Sequence, residues 1–343
     1  MEYDLSGKTV LVTGATGSFG TAFMRAVLER YDVASIRAFS RDELKQSELA
    51  RTITDKRLRL LIGDVRDRDR LRVATRGVDV IVHAAALKQV PACEYNPFEA
   101  VQTNVIGAEN VVAAAIDNDV PVTIALSTDK AVNPVNLYGA TKLCAEKIVA
   151  QAMAYAAGTH AKFASVRYGN VVGSRGSVVP IFRQQAQTGT VTITDERMTR
   201  FWITLEHAVE FVLSCLPLIQ GGETFVPKIP SMRLMDMAAA LAPDAERKVV
   251  GIRPGEKLHE VLVTEDEARH CYDIGDRYVI LPQLATWDME RPERGESLPD
   301  GFRYASDNNA EWLDEEALRE MVGTLPPGRR AEDRRGADPG WEA

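Results

Sequence analysis

The segment Thr13-Gly14-Ala15-Thr16-Gly17-Ser18-Phe19-Gly20 limits the possible folds more than any other part of the chain. It follows the apolar run Thr9-Val10-Leu11-Val12 and opens a helical pattern from Phe19 to about Leu28. Glycines at such a junction let the backbone turn tightly and approach a pyrophosphate, which then rests on the unpaired N–H groups of a helix N-terminus. In this strand–loop–helix context Gly14, Thr16, Gly17, Ser18, Phe19 and Gly20 read as dinucleotide contacts rather than a plain tight turn.

The pattern around it fixes the fold class. Runs at residues 35–39, 58–62, 78–82 and 122–126 repeat the strand signal with helical stretches between them. Apolar, β-branched runs alternating with helices predict a doubly wound parallel α/β sheet covered on both faces, a Rossmann-like fold. An antiparallel sandwich would need closely spaced hairpin turns, which are absent. After Tyr168 the rhythm changes to short strands (190–194 and 224–226), a helix near 207–216 and Pro-flanked loops, which predicts a smaller interleaved lobe. The expected division is a dinucleotide domain over 1–170 with returns around 201–226, a substrate lobe over 171–325 and a disordered tail over 326–343. The 343 residues carry a net charge of −8 and no long apolar run, and the start shows no basic-then-apolar signal, so the expectation is a soluble, cytoplasmic protein. The basic residues cluster only in the tail, which argues against nucleic acid as a partner. Four widely spaced cysteines suggest neither a disulfide framework nor a metal site.

The end of the second strand should distinguish the dinucleotides, because an acid there binds a ribose 2′-hydroxyl and a cation accepts a 2′-phosphate. Ser40-Arg41, with Lys45 a turn later, favours NADP; the alternative is a solvated helix start capped by Asp42. Asp64 and Val65 after the third strand are placed to meet the adenine, and Ala84-Ala85-Ala86 after the fourth lets the cofactor lie close. After the fifth strand come Ser127-Thr128-Asp129-Lys130 and then Tyr138-Gly139-Ala140-Thr141-Lys142. Tyr138 and Lys142, four apart at a helix start, project from one face. An ammonium beside a phenol, with a cationic nicotinamide near, lowers the phenol pKa toward that of a working base.

Residues 40–48, 86–91, 127–142, 167–177, 198–201 and 253–260 together are similar to those of the extended short-chain dehydrogenases/reductases, and within them to the inverting UDP-N-acetylglucosamine 4,6-dehydratases of pseudaminic acid synthesis. The Gly-x-x-Gly-x-x-Gly spacing is this superfamily's variant, and Asp129-Lys130 stands where retaining 4,6-dehydratases typically carry Asp-Glu. The resemblance implies a hydro-lyase acting on UDP-N-acetylglucosamine. Tyr138 and NADP⁺ oxidise the sugar C4 hydroxyl, Lys130 removes the C5 hydrogen and Asp129 protonates the leaving C6 hydroxyl. Hydride then returns to C6, and C5 is reprotonated from the opposite face. The pair must therefore react as neutral amine plus carboxylic acid, which a dry site with Lys142 and the nicotinium nearby favours. A homo-oligomer, dimer or hexamer, is also implied.

Substrate contacts are expected at Thr128, at Asn170 after the sixth strand, and at Arg253 and Glu256, whose fork and carboxylate suit a diphosphate and ribose hydroxyls. Arg200 is a further candidate, against a salt bridge fixing its strand, and Lys88 competes with a solvated loop lysine. His259-Glu260 makes no zinc motif, since position 263 is Val263. Met232, Met235 and Met237 read as packing, His83 as a core histidine and Asn104 as a support for the active-site backbone. The rival functions are another sugar-nucleotide reaction on this scaffold, such as C4 epimerisation or a dehydration stalled at an enol ether, and a non-catalytic NADP-binding regulator.

Overall fold

In the computed structural model, which describes residues 3–173, 178–293 and 295–323, the first apolar runs form strands β1 (Thr9–Thr13), β2 (Ser35–Ser40), β3 (Leu58–Ile62), β4 (Val80–His83), β5 (Val122–Leu126) and β6 (Lys162–Val166). They are parallel and lie in the order β3-β2-β1-β4-β5-β6, with Val10 paired to Ile36 on one side and Val80 on the other. The crevice between β1 and β4, where the sheet reverses its direction of growth, is where such folds bind ligands. Strand β1 is buried on both faces. Val10 and Val12 pack with Phe23, Val27 and Val212 on one side, and Leu11 packs with Phe39, Ile81 and Ala115 on the other. This explains the unbroken apolar run in place of an alternating one.

Beyond β6 the chain leaves and rejoins this sheet. Strands β7 (Asn170–Val171), β8 (Thr190–Ile193), β9 (Thr199–Ile203), β10 (Thr224–Pro227), β11 (Ser231–Arg233), β12 (Glu246–Val249), β13 (Val261–Val263), β14 (Cys271–Asp273), β15 (Arg277–Ile280), β16 (Glu296–Ser297) and β17 (Tyr304–Ala305) follow. β10 runs parallel to β6, and β15, β14 and β16 extend the sheet antiparallel to ten strands. β9 instead joins β7 and β11 in a separate sheet. The expected return at 201–226 is thus made by β10 and by helix Leu205–Cys215, which packs on helix Ser18–Arg30. The stretch assigned to the interleaved lobe also contributes β14, β15 and β16 to the main sheet. The short β-branched pieces there are too brief to reveal their sheet from pattern alone.

The lobe has its own core of Val172, Phe182, Ile193, Trp202, Met232, Met237 and Leu318, with Met235 packed against it. Arg167 joins lobe and main sheet. Its guanidinium pairs with Glu146 at 2.7 Å and Glu267 at 2.8 Å, and donates to the Leu262 carbonyl. The expected tail, and residues 174–177 of the 167–177 motif, lie outside the described residues. Among the described residues no helix is long and apolar enough to cross a membrane.

Candidate active site

A cleft of about 500 Å³ opens at the carboxyl ends of β1, β4 and β5 and is closed on its far side by the lobe. Its floor is the glycine-rich loop: Gly14, Gly17, Ser18, Phe19 and Gly20 line it, with Ala84 and Ala86 opposite. Gly14 has φ +66°, and a Cβ there would lie 2.8 Å from the Ala84 backbone, so both conformation and space require glycine. Gly17 is the N-cap of helix Ser18–Arg30 and contributes no capping side chain, so the helix start faces the cleft, where its dipole favours an anion. Both observations fit a dinucleotide pyrophosphate. Thr16 and Ala85 belong to the same two loops without lining the cleft. His83, at the end of β4, is buried with Nδ1 2.8 Å from the Thr13 hydroxyl, and that hydroxyl accepts from the Ala85 N–H. Burial, with Lys142 nearby, pushes the His83 ring down to about 3, so it is a neutral support.

The end of β2 holds Ser40, Arg41 and Lys45 in a particular way. The Ser40 hydroxyl accepts from the buried Gln46 amide. Arg41 is half exposed and 3.5 Å from Asp64, which Arg66 holds at 2.7 Å. Asp42 caps helix Glu43–Thr52 by accepting from the Lys45 N–H and pairs with the Lys45 ammonium at 2.8 Å. Both carboxylates in this region are engaged by cations, and the capping role read as the alternative for Asp42 coexists with exposed Arg41 and Lys45. Val65 is buried against helix Gly107–Asp117, in the same apolar cluster as Val111 and Ala115.

Asp129 and Lys130 sit on a single helical turn, Asp129–Ala131, just past β5. The Asp129 N–H donates to the Tyr168 carbonyl beyond β6, which extends the β5–β6 pairing into the site. Asp129 is fully buried; its Oδ1 accepts from the Thr128 hydroxyl at 2.8 Å and the Lys130 ammonium at 3.0 Å. Oδ2 has no hydrogen-bond partner among the described residues. Lys130 also donates to Asn170 Oδ1 at 3.2 Å and lies 4.0 Å from the Glu260 carboxylate. Burial lowers the Lys130 pKa, but Asp129 and Glu260 outweigh it, so the ammonium is held above its ordinary value. Helix Leu137–Gln151 is capped by Asn136 and presses on this turn: a Cβ on Gly139 would overlap the Lys130 carbonyl oxygen. That close approach places Tyr138 beside Lys130. Asn104, on a π-helical turn, braces the same region by bonding both backbone groups of Leu87 and the Thr141 hydroxyl.

Tyr138 and Lys142 both line the cleft, as their spacing predicts, but their electrostatic relation differs from the expectation. Lys142 Nζ donates to the Leu126 carbonyl at 2.6 Å, and burial brings it down to about 8. Burial pushes the Tyr138 hydroxyl up to about 12, and the groups drawing it back are Lys130 and the Thr128 hydroxyl. In the protein alone, Lys130 takes the part assigned to Lys142, because the long Lys142 side chain reaches back to the end of β5.

The family model described as polysaccharide biosynthesis protein matches residues 10–282. The chain belongs to this family. A UDP-N-acetylglucosamine 4,6-dehydratase (inverting) from Campylobacter jejuni is 48% identical over 92% of this chain and 98% of its own. A UDP-glucose 4-epimerase from Rickettsia canadensis is 42% identical over 93% of this chain and 96% of its own. Among solved structures, Pen from Bacillus thuringiensis is 37% identical, with a TM-score of 0.85 over 93% of this chain and 98% of that one. The membership places the chain among the extended short-chain dehydrogenases/reductases, as the motifs implied.

The substrate candidates divide. Lys88, Thr128 and Asn170 line the cleft, and burial with Lys130 nearby lowers the Lys88 pKa. Arg253 is exposed, and its turn is fastened near the start of helix Leu137–Gln151 by the bond from the Asn136 amide to the Gly255 carbonyl. Glu256 caps that turn by accepting from the Arg253 N–H. Arg200 is used structurally: buried away from the cleft wall, it donates to the carbonyls of Thr199, Leu258 and Lys257. Its guanidinium comes within 3.8 Å of Glu260, which is the salt-bridge alternative rather than an open phosphate fork. Sequence reasoning passed over Glu260, weighing it only as a zinc-motif residue, and also Lys257 and Trp202. Lys257 and Glu260 lie in the 253–260 motif, which was a signal for them, whereas Trp202 lies outside it.

Proposed function

We propose that this chain is an NADP-dependent UDP-N-acetylglucosamine 4,6-dehydratase that inverts C5, a hydro-lyase. The observation that carries this reading is Lys130 Nζ on the cleft wall, hydrogen-bonded to Asp129 and Asn170 and beside Tyr138. Support comes from the 48% identity to a relative of that name. The preference for NADP rests on the end of β2, where Arg41 and Lys45 are exposed and Asp42 is committed to its cap and ion pair.

Gly14, Gly17 and Gly20 with the start of helix Ser18–Arg30 would hold the dinucleotide pyrophosphate, Arg41 and Lys45 the 2′-phosphate, and Tyr138 and Lys142 the nicotinamide end. When bound, the nicotinamide accepts hydride from the sugar C4 and gives it back at C6. Tyr138 takes the C4 hydroxyl proton, a step that its buried, raised hydroxyl makes only with cations close by. Transfer of one proton along the 3.0 Å bond from Lys130 Nζ to Asp129 leaves an amine and a carboxylic acid. The amine then removes the C5 proton that the C4 ketone has acidified, and the acid protonates the C6 oxygen as it leaves as water. Lys88 and Asn170 hold the sugar nucleotide against this wall, with Arg253 and Glu256 at the rim. A dimer or hexamer in the cytoplasm goes with this reading.

Incubation with UDP-N-acetylglucosamine and NADP⁺ in D₂O tests it by proton NMR and mass. The expected product has lost one water, carries a C4 ketone and a C6 methyl group, and has one deuterium at C5 in the L-configured ring. The 42% identity to an epimerase favours one second reading, C4 epimerisation, which needs Tyr138 and Lys142 alone. A product of unchanged mass, still formed by a Lys130→Met variant, would establish that reading instead.

A further inference from the structure

Behind Lys130 lies a second carboxylate that no step above uses. Glu260 is 3% exposed and precedes β13 on a strand edge fastened by the Ser306 hydroxyl, which accepts from the Glu260 N–H at 2.9 Å. Its Oε1 is 4.0 Å from Lys130 Nζ and 3.8 Å from Arg200 Nε. Its Oε2 has no hydrogen-bond partner among the described residues and faces Lys257 Nζ at 3.4 Å. Lys257 donates in turn to the Val132 carbonyl and lies within 3.4 Å of the Asp129 carbonyl, so it rests on the turn carrying the catalytic pair. A carboxylate this buried is stable only among cations, and here three surround it: Lys130 from the turn after β5, Arg200 from β9 and Lys257 from its own segment.

We propose that Glu260 is a positioning residue for Lys130: it holds the lysine Nζ on the cleft wall and sets how tightly that nitrogen keeps a proton. This rests on the reading of Lys130 as the base. The groups facing Lys130 are Asp129, Glu260, Arg200, Tyr138 and Lys88. Asp129 must change protonation during the reaction, whereas Glu260 touches no reacting atom and can keep its charge throughout. When Asp129 holds the shared proton, Glu260 is the negative charge that remains beside the amine. It therefore strengthens the amine as a base when the C5–H bond breaks, the N–H bond forms and the C–H electron pair passes into the C4 ketone as enolate. The same charge makes the free amine scarcer at neutral pH. Glu260 thus trades the population of the base against its strength.

Two substitutions move Lys130 in opposite directions. Glu260→Gln keeps the shape, removes the charge and should lower the Lys130 pKa by about one unit, as expected for loss of an opposite charge at this range. Lys257→Met removes the cation that competes for Glu260 and should raise it. Both are read by NMR titration of protein labelled with ¹³C at lysine Cε, with the Lys130 signal identified by its loss in Lys130→Met. In the Glu260→Gln holoenzyme the pH profile of C5 deuterium incorporation should move to lower pH by the same shift, while the plateau rate falls about threefold or more. A Lys130 titration unmoved in Glu260→Gln overturns the proposal, as does an unchanged or lowered pKa in Lys257→Met, which decides alone should Glu260→Gln not fold. A Lys130 titration that moves while C5 exchange survives Lys130→Met keeps the electrostatic link and refutes instead the reading of Lys130 as base.

Discussion

Lys142→Met should trade activity for stability with a pH signature that can be worked from the structure. Lys142 is 5% exposed, its ammonium donates to the Leu126 carbonyl at 2.6 Å, and burial takes it from an ordinary 10.5 to about 8 despite Glu146 nearby. At about 1.4 kcal/mol per unit, keeping this ammonium folded at pH 7 costs about 3 kcal/mol. Methionine fills similar volume but leaves the Leu126 carbonyl unpaired, which returns about 1–2 kcal/mol of that gain. The variant should therefore be more stable at pH 7 by about 1–2 kcal/mol. The sign of the pH dependence follows from proton counts. Below pH 8 folded and unfolded chains both bind the proton and the cost is complete. Between the folded value near 8 and the unfolded value near 10.5 only the unfolded chain keeps it, so parent stability rises with pH. From pH 8 to pH 10 the parent should gain about 2 kcal/mol on the variant. Groups common to both proteins cancel in that difference. Urea unfolding of both at pH 7, 8, 9 and 10 measures it, and turnover should fall by about two to four orders of magnitude with loss of the catalytic cation. A parent-minus-variant stability flat across this range would refute the claim that Lys142 is held as a strained, buried cation.

Three further outcomes follow from the same geometry. Gly14→Ala forces a side chain to φ +66° against the Ala84 backbone and should cost about 1–3 kcal/mol with dinucleotide affinity lost; normal affinity by calorimetry would refute the cradle. Arg41→Ala removes an exposed cation beside Ser40 and Asp64 and should weaken NADP at least tenfold with NAD little changed; equal losses for both would make Arg41 a general contact. Arg167→Met strands the buried carboxylate of Glu146, paired at 2.7 Å, and should cost about 3–5 kcal/mol in denaturant, where a near-neutral result would show the network to be replaceable.

The part of the molecule legible in the sequence is the part whose signal is local. β1, the glycine loop and the helix after it are contiguous, and Gly17 and Gly20 there answer demands made by Gly14 and Ala15 close by, while Gly14 also clears the Ala84 backbone. The Tyr138/Lys142 spacing fixes a shared helix face for the same reason. Interactions between distant elements were not legible. β15 joins the main sheet by antiparallel pairing with β10 and β14 by antiparallel pairing with β15, and three- and four-residue strands carry too little periodicity to announce a partner. The electrostatics failed similarly. The i,i+4 rule brought Lys142 to the face of Tyr138 but could not show that its Nζ would end on the Leu126 carbonyl, nor that Lys130 would supply the field on the phenol.

The proposed catalytic pair shows how the two kinds of information combine. Asp129 and Lys130 are adjacent in sequence, and adjacency alone would make them a surface ion pair of little consequence. Burial of Asp129 at zero exposure changes that, because a buried carboxylate with one unpaired oxygen is costly to keep unless chemistry uses it. What buries it is mostly long-range: beside the close approach of Gly139 within the same stretch stand the Tyr168 carbonyl beyond β6 and Lys257 from a segment more than a hundred residues away. The residue types at the reacting atoms are therefore readable from one short stretch, whereas the field that decides their protonation is assembled by the lobe. On the proposed reading, exchanging Lys257 and Glu260 while leaving residues 127–142, Arg253 and Glu256 intact should shift the pH profile of C5 deuterium incorporation before it alters the affinity for the sugar nucleotide.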